Sequence, residues 1–263
     1  MTKTALTVAG FDPDGGAGLQ ADLKVFHTLK VHGLSVVSAV TAQNSRGVAA
    51  VEAVSPEMFR RQLKILLDDI VPDALKTGVL YDAVTVLTLT EIVAARGLQN
   101  LVIDPVMLPT QGARLMRSEA AAALISGLIP LAAFVTPNAA EAAALTGMEV
   151  QTPRDMCEAA RRIAGMGAAC VVVTGGDMAG NPNEDSAGAS LDIFFDGARC
   201  HELVSPKIPG RFHGTGCVFS ASLTAALALG YSAVRAVEFA KSFTRTAIEN
   251  SYRPGKGMSF LNV

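Results

Sequence analysis

Tryptophan is absent from this 263-residue chain, and phenylalanine, tyrosine and tryptophan together make up only 5% of it. A surface that stacks successive nucleobases needs more aromatic residues than this. Neither sign of charge is in excess: 22 Lys and Arg face 24 Asp and Glu, a formal net charge of −2. Nothing therefore points to nucleic acid or an anionic membrane as the main partner. The four cysteines, Cys157, Cys170, Cys200 and Cys217, form no C-x-x-C pair and no regular spacing. The expectation is no disulfide framework, no zinc site and a reduced, cytoplasmic compartment. There is no G-x-x-x-x-G-K-[ST] phosphate loop and no G-x-S-x-G nucleophile elbow, which excludes the usual P-loop NTPase and weighs against an α/β-hydrolase. The N-terminus "MTKTALTVAG" enters a strand-like run without a signal peptide. The longest uncharged stretch, Phe212 to Val234, is diluted by Gly, Ser and Thr and reads as a buried helix, not a membrane span.

Apolar residues are plentiful, at 50% of the chain, so a large core is available. They fall into β-branched runs alternating with segments of helical period. "TALTVAG", "LSVVSAV", "DALKTGVL", "NLVID", "AAFVT" and "CVVVT" read as strands. Between them, "PEMFRRQLKILLDDI" is a helix opened by proline, and "AVTVLTLTEIVAARG" is one stopped by Gly97. Residues 119–129, "AAEAAALTG" and "PRDMCEAARRIAGMG" read as further helices. "SLDIFF" and "RCHELV" are close enough to pair as a hairpin, followed by a helix from Cys217 and another through "AVRAVEFAKSFTRTAIENS". This alternation implies an α/β fold, with a mostly parallel sheet covered on both faces. No linker divides residues 1–263, which read as one domain. The polar segment 175–189, "GGDMAGNPNEDSAGA", suits a mobile flap.

Open parallel sheets bind ligands beyond the C-terminal ends of their strands. Gly10 to Gly18, Gln43 and Asn44, Asp104, Asn138 and Glu141, and Gly175 and Gly176 all follow strand-like runs. Gly16-x-Gly18-x-x-Ala21 resembles a dinucleotide fingerprint, but residues 35–40 lack the carboxylate expected about twenty positions on. The segment otherwise reads as a glycine turn before a helix, or a loop whose bare backbone a ligand can approach. Asn138 and Glu141 suit a capping box, and Glu141 equally suits a carboxylate near metal and phosphates. Asp104 before Pro105 is a turn former or a hard ligand for Mg²⁺. In "HGTGC", glycines before a helix let backbone N–H groups converge into an anion hole. Cys217 sits in the first helical turn, where a thiol pKa is typically lowered; the alternative is an ordinary buried cysteine.

Together, "AGFDPDGGAGLQADLKVF", "TAQNSRGV", "KTGVL", "DPVM", "VTPNAAEA", "HGTGC" and Ala240–Lys241 resemble the hydroxymethylpyrimidine/phosphomethylpyrimidine kinases, from residue 9 to about 241. The resemblance implies a ribokinase-like three-layer αβα sandwich. It implies transfer of the ATP γ-phosphate to 4-amino-5-hydroxymethyl-2-methylpyrimidine and then to its monophosphate, in thiamin biosynthesis. Under it, Gln43 reads the aminopyrimidine edge, Asp22, Gly10 and Ala17 help fix the ring, and Val79 and Val106 wall it. Gly214, Thr215 and Gly216 form the anion hole, and Cys217 stands where related sugar kinases carry an aspartate base. Asp104 and Glu141 lie near Mg²⁺, and Asn138, Lys241 and Thr174 near ATP. A small-molecule pyrimidine is the expected partner, and a homodimer the expected assembly. Phe11, Thr174, Asp177, Val218 and Phe212 depart from the family pattern. A pyridoxal or pyridoxine kinase of the same fold, a pyrimidine-binding sensor without turnover, and the dehydrogenase reading are the competing functions.

Overall fold

The computed structural model describes residues 2–107, 113–176 and 188–263. Most of the flap expected over residues 175–189, including Asp177, lies outside the described residues. Nine strands form one sheet in the order β3-β2-β1-β4-β5-β6-β7-β8-β9. They are β1 (Thr4–Phe11), β2 (His32–Asn44), β3 (Gly47–Ala53), β4 (Ala74–Thr77), β5 (Leu101–Ile103), β6 (Phe134–Val135), β7 (Cys170–Thr174), β8 (Ala189–Phe195) and β9 (Cys200–Pro206). The six strands from β2 through β1 and β4 to β7 run parallel; β3 and the β8–β9 hairpin are antiparallel additions at the two edges. The hairpin is the one expected from sequence, whereas β3 is an addition to the expected strands. The chain steps from β1 outward to β2, then returns past β1 to β4, so the order reverses beside β1. Such a reversal splays the connecting loops and opens a crevice.

Helices cover both faces. On one side lie α2 (Pro56–Asp69), α3 (Ala83–Arg96), α4 (Ser118–Ala123), α5 (Ala139–Thr146) and α6 (Pro153–Gly165). On the other lie α1 (Gly18–Thr28), α7 (Thr215–Ala228) and α8 (Ala233–Glu249). Strand alternation divides the core accordingly. Leu101 and Ile103 pack toward the first layer and Val102 toward the second; Val171 and Val173 go one way and Val172 the other. The α2 start has Pro56 behind a Ser55 cap, and α3 ends on Gly97 at φ 60°. The single helix expected over 119–129 is instead α4, a π-helical turn (Leu124–Leu128) and a 3₁₀ turn (Ile129–Leu131). Pro130 has no N–H to donate to Ser126, so an α-helical ladder cannot run on through it.

Buried nearly all round, α7 is the central helix of its layer. This accounts for the long uncharged stretch: among the described residues no helix is long and apolar enough to cross a membrane. A two-stranded parallel ladder joins β10 (Phe212–His213), just before α7, to β11 (Ser259–Phe260). The cysteines correct the sequence expectation. Cys157 on α6 and Cys200 at the start of β9 form a disulfide, while Cys170 and Cys217 are free. Their separation of 43 residues carries no local signature of pairing.

Candidate active site

A cavity of about 410 Å³ opens at the C-terminal ends of the parallel strands. Every site residue expected from the sequence lines it except Asp22. The sheet order sets the layout. Gly10 near the end of β1, Ala17 after it, Gln43 on β2 and Val79 after β4 lie toward one side. Asn138 after β6, Thr174 on β7 and Lys241 on α8 lie toward the other. Asp104 and Val106 after β5, with the start of α7, fall between them.

Two glycine-rich segments, far apart in the chain, meet backbone to backbone here. Gly214 has φ 84°, and a Cβ on it would overlap the carbonyl oxygen of Gly16. Gly18 has φ 56°, and a Cβ on it would overlap the carbonyl oxygen of Gly10. Only glycine tolerates both the left-handed backbone and that proximity. No side chain caps α7, so the N–H groups of Thr215, Gly216 and Cys217 face the cleft as a partial positive charge.

Asp12, a residue with no role in the sequence expectations, holds these segments in place. Its carboxylate accepts from Gly16 N at 3.1 Å, Ala17 N at 2.7 Å and Asp14 N at 3.1 Å, and it pairs with His213 Nε2 at 3.0 Å. Burial works against the ionised form, but these donors win and hold the carboxyl well below the usual carboxylate range. The same pairing raises the His213 pKa above its ordinary value despite burial. The signal for Asp12 was its place in "FDPDGG", where an aspartate folds a turn onto following N–H groups; its clasp to His213 joins residues 201 apart.

Beneath the α7 start lies a buried charge network. Lys76, fully buried on β4, donates to both Asp22 oxygens at 2.9 and 3.0 Å, and Thr7 Oγ1 donates to Asp22 at 2.6 Å. Asp22 therefore does not touch the ring pocket; it neutralises a buried lysine, and the expectation for it is corrected. Removing either member would leave a lone buried charge, at a cost of about 3–5 kcal/mol. Burial raises Asp104 above the usual carboxylate range, against the attraction of Lys76 and a 2.9 Å hydrogen bond from Ser220 Oγ. Burial likewise pushes the Cys217 thiol up to about 12, against the pull of Lys76. A helix start was expected to lower this thiol; desolvation outweighs it, so Cys217 is a neutral thiol near pH 7.

On the other side, Asn138 and Glu141 form the expected capping box: Asn138 Oδ1 accepts from Glu141 N at 2.9 Å, and Glu141 Oε2 from Asn138 N at 3.0 Å. Glu141 Oε1 also accepts from Met107 N at 3.4 Å while the side chain lines the cleft. Thr174 bridges to Asn138, and Lys241 Nζ donates to Asp192 at 2.7 Å. Asp192 also accepts from Gly175 N at 3.0 Å and so ties the β7 exit to α8.

A ribokinase-like sandwich with an uncapped helix start at the floor of its cleft and carboxylates beside it defines a small-molecule phosphotransferase. The phosphomethylpyrimidine kinase family model matches residues 12–262, and the chain belongs to that family. It is 41% identical over 254 residues to the hydroxymethylpyrimidine/phosphomethylpyrimidine kinase of Bacillus subtilis (strain 168), covering 96% of this chain and 92% of the relative. It is also 39% identical over 252 residues to the pyridoxine kinase of the same organism, covering 94% and 91%. Among solved structures, the ADP complex of Bacillus subtilis pyridoxal kinase superposes with a TM-score of 0.88 at 36% identity, over 100% of this chain and 97% of that one.

Proposed function

We propose that the chain, acting as one catalytic unit over residues 1–263, transfers the ATP γ-phosphate to 4-amino-5-hydroxymethyl-2-methylpyrimidine and then to its monophosphate, giving the diphosphate used in thiamin biosynthesis. The observation that carries this reading is the uncapped start of α7, open to a cleft whose one side offers an amide and bare backbone and whose other side offers Lys241 and Asn138. In the first transfer the hydroxymethyl oxygen attacks the γ-phosphorus, the bond from that phosphorus to the ADP oxygen breaks, and the hydroxyl gives up its proton to solvent late in a loose transition state; in the second a phosphate oxygen of the monophosphate attacks in the same way, with no hydroxyl proton to lose. Little base strength is required, which suits a neutral Cys217 thiol that positions the hydroxymethyl group. The N–H groups at Thr215, Gly216 and Cys217 stabilise the charge spreading over the migrating phosphoryl oxygens.

Gln43 offers a donor and an acceptor to the aminopyrimidine edge, with Gly10, Ala17, Val79 and Val106 around the ring. Asp104 and Glu141 are hard oxygen donors facing the cleft, and a cation beside Asp104 would relieve the burial that raises its pKa. They fit Mg²⁺, which supplies charge neutralisation at the ATP phosphates; Glu141 is engaged in its capping box and would act through water. Lys241, Asn138 and Thr174 would face the nucleotide. We further place the enzyme in the cytoplasm as a homodimer, a setting in which the Cys157–Cys200 bond is open to reduction.

Pyridoxal phosphorylation is the second reading, favoured by the pyridoxine and pyridoxal kinases among the relatives. The test is a coupled ATP-consumption assay with the free pyrimidine, its monophosphate and pyridoxal, for wild type and Gln43→Ala. The expected result is turnover of both pyrimidines, with kcat/KM for the free pyrimidine falling at least about tenfold in the variant, the value of one to two hydrogen bonds. Wild-type enzyme that consumes ATP with pyridoxal alone would overturn the first reading in favour of the second.

A further inference from the structure

An aspartate in the wall of a cleft that is to hold a polyphosphate repels the ligand unless its charge is answered. Asp192, on β8, is such a residue: it lines the cleft and is only 4% exposed. Both of its oxygens are engaged. Oδ2 pairs with Lys241 Nζ at 2.7 Å, and Oδ1 accepts from Gly175 N at 3.0 Å. The strand register sets Asp192 opposite Thr174 on β7, so one carboxylate fastens the exit of β7 to a side chain of α8. An ammonium has three hydrogens, and Lys241 meets two further acceptors, Ser190 Oγ at 3.3 Å and Ser190 O at 3.4 Å. These two contacts lie at the long end of hydrogen bonding, whereas the bond to Asp192 is short and charge-assisted. A phosphate oxygen can therefore displace the serine without displacing the aspartate.

We propose that Asp192 is a positioning residue for the nucleotide: it holds Lys241 Nζ at one point of the cleft, where the ammonium exchanges Ser190 for a phosphate oxygen of ATP and keeps its bond to Asp192. This rests on the proposed role of Lys241 toward the nucleotide. Asp192 itself touches no substrate; it acts through the lysine. An untethered lysine loses its rotamer freedom when ATP binds, whereas one already gripped by a buried carboxylate has lost it on folding, and affinity gains by the difference. The Gly175 N–H holds the carboxylate in turn. A carboxylate that acted only as a negative charge beside the polyphosphate would do the opposite: it would weaken ATP binding, and removing it would strengthen it.

The probes are ATP in steady-state turnover and its β,γ-methylene analogue in calorimetric titration, for wild type, Asp192→Asn, Lys241→Met and the double variant. The Asp192→Asn change keeps the shape and an acceptor for Gly175 N but gives up the charge that grips the ammonium. It is expected to raise KM for ATP and Kd for the analogue at least about fivefold, with KM for the pyrimidine within about twofold. A merely structural loss would lower the active fraction, and so the apparent kcat, and leave both KM values in place. Lys241→Met should raise the two nucleotide constants about tenfold or more, the value of a charged hydrogen bond. Because Asp192 acts through Lys241, the double variant should lie within about twofold of Lys241→Met alone. If Lys241→Met weakens the nucleotide and Asp192→Asn binds the analogue as tightly as wild type, or more tightly, the proposal is overturned while the Lys241 reading stands. A double variant whose loss is the product of the two single losses overturns it as well. If Lys241→Met leaves both nucleotide constants unchanged, the reading of Lys241 fails and takes the proposal with it. Should Lys241→Met, which strips a buried carboxylate of its partner, not fold, Asp192→Asn decides alone: analogue affinity equal to or above that of wild type overturns the proposal.

Discussion

Replacing Gly214 with alanine tests whether the two glycine-rich segments must touch for phosphoryl transfer. At φ 84° an alanine pays about 1–2 kcal/mol for the left-handed backbone. Its Cβ also overlaps the Gly16 carbonyl oxygen, so the loop must move, at about 1–3 kcal/mol for an overpacked contact. The sum, about 2–5 kcal/mol, lies within the usual 5–15 kcal/mol stability of a domain, so the variant folds at moderate temperature. The displacement falls on the N–H groups at the α7 start. Losing one such donor typically costs about 10²–10³ in kcat. Gly216→Ala is the control, because its Cβ meets nothing nearer than Asp104 Oδ2 at 3.9 Å. Urea unfolding and steady-state ATP consumption should therefore separate the pair: Gly214→Ala loses both stability and at least a hundredfold in kcat, while Gly216→Ala keeps its stability and loses less than tenfold. A Gly214→Ala enzyme with wild-type kcat in an intact fold would refute the reasoning.

With the Cys217 thiol pushed up to about 12, its alkylation by iodoacetamide, followed by peptide mass, should accelerate about tenfold per pH unit from 7 through 10 without levelling off. A plateau near pH 8 would contradict the neutral thiol. His213 supplies a pH-dependent share of stability, because Asp12 raises its folded pKa above the unfolded value of about 6.5. That share is complete below the unfolded value and disappears as pH rises through the folded one. The urea stability gap between wild type and His213→Gln should therefore be larger at pH 5.5 than at pH 9; a gap that is flat or grows with pH would remove the Asp12–His213 pair from the account.

What the sequence made legible was whatever local chemistry enforces. The proline that opens α2, Gly97 ending α3 and the Asn138–Glu141 capping box that opens α5 are short-range signals, and those helices begin and end where the signals stand. The glycine runs were legible as places where backbone must come close, though the partner was not. What stayed hidden depends on residues far apart in the chain. Asp22 looks like any polar residue at a helix start until Lys76, 54 positions on, is brought to it by β4 pairing with β1. A lysine in the middle of the strand-like "ALKT", buried throughout, was the available signal. The disulfide was hidden for the same reason, and β3 because its partly exposed "GVAAVEA" lacks a clean alternation. The sequence also over-extended the helix at 119–129: the apolar period persists, but the chain passes into a π-helical turn and then a 3₁₀ turn that carries Pro130.

The ladder between β10 and β11 has a bearing on synthesis. His213 packs on Phe260 with ring centroids 5.5 Å apart, and Ser45 accepts from Met258 N at 2.9 Å, so residues 258–260 brace both the approach to α7 and the tip of the β2–β3 hairpin. A nascent chain translated only as far as α8 already contains every residue of the cleft except Met258, yet it lacks the strand that steadies the imidazole. Residues 258–260 must therefore have left the ribosome before the reactive centre can set, so competence waits on a segment that follows α8.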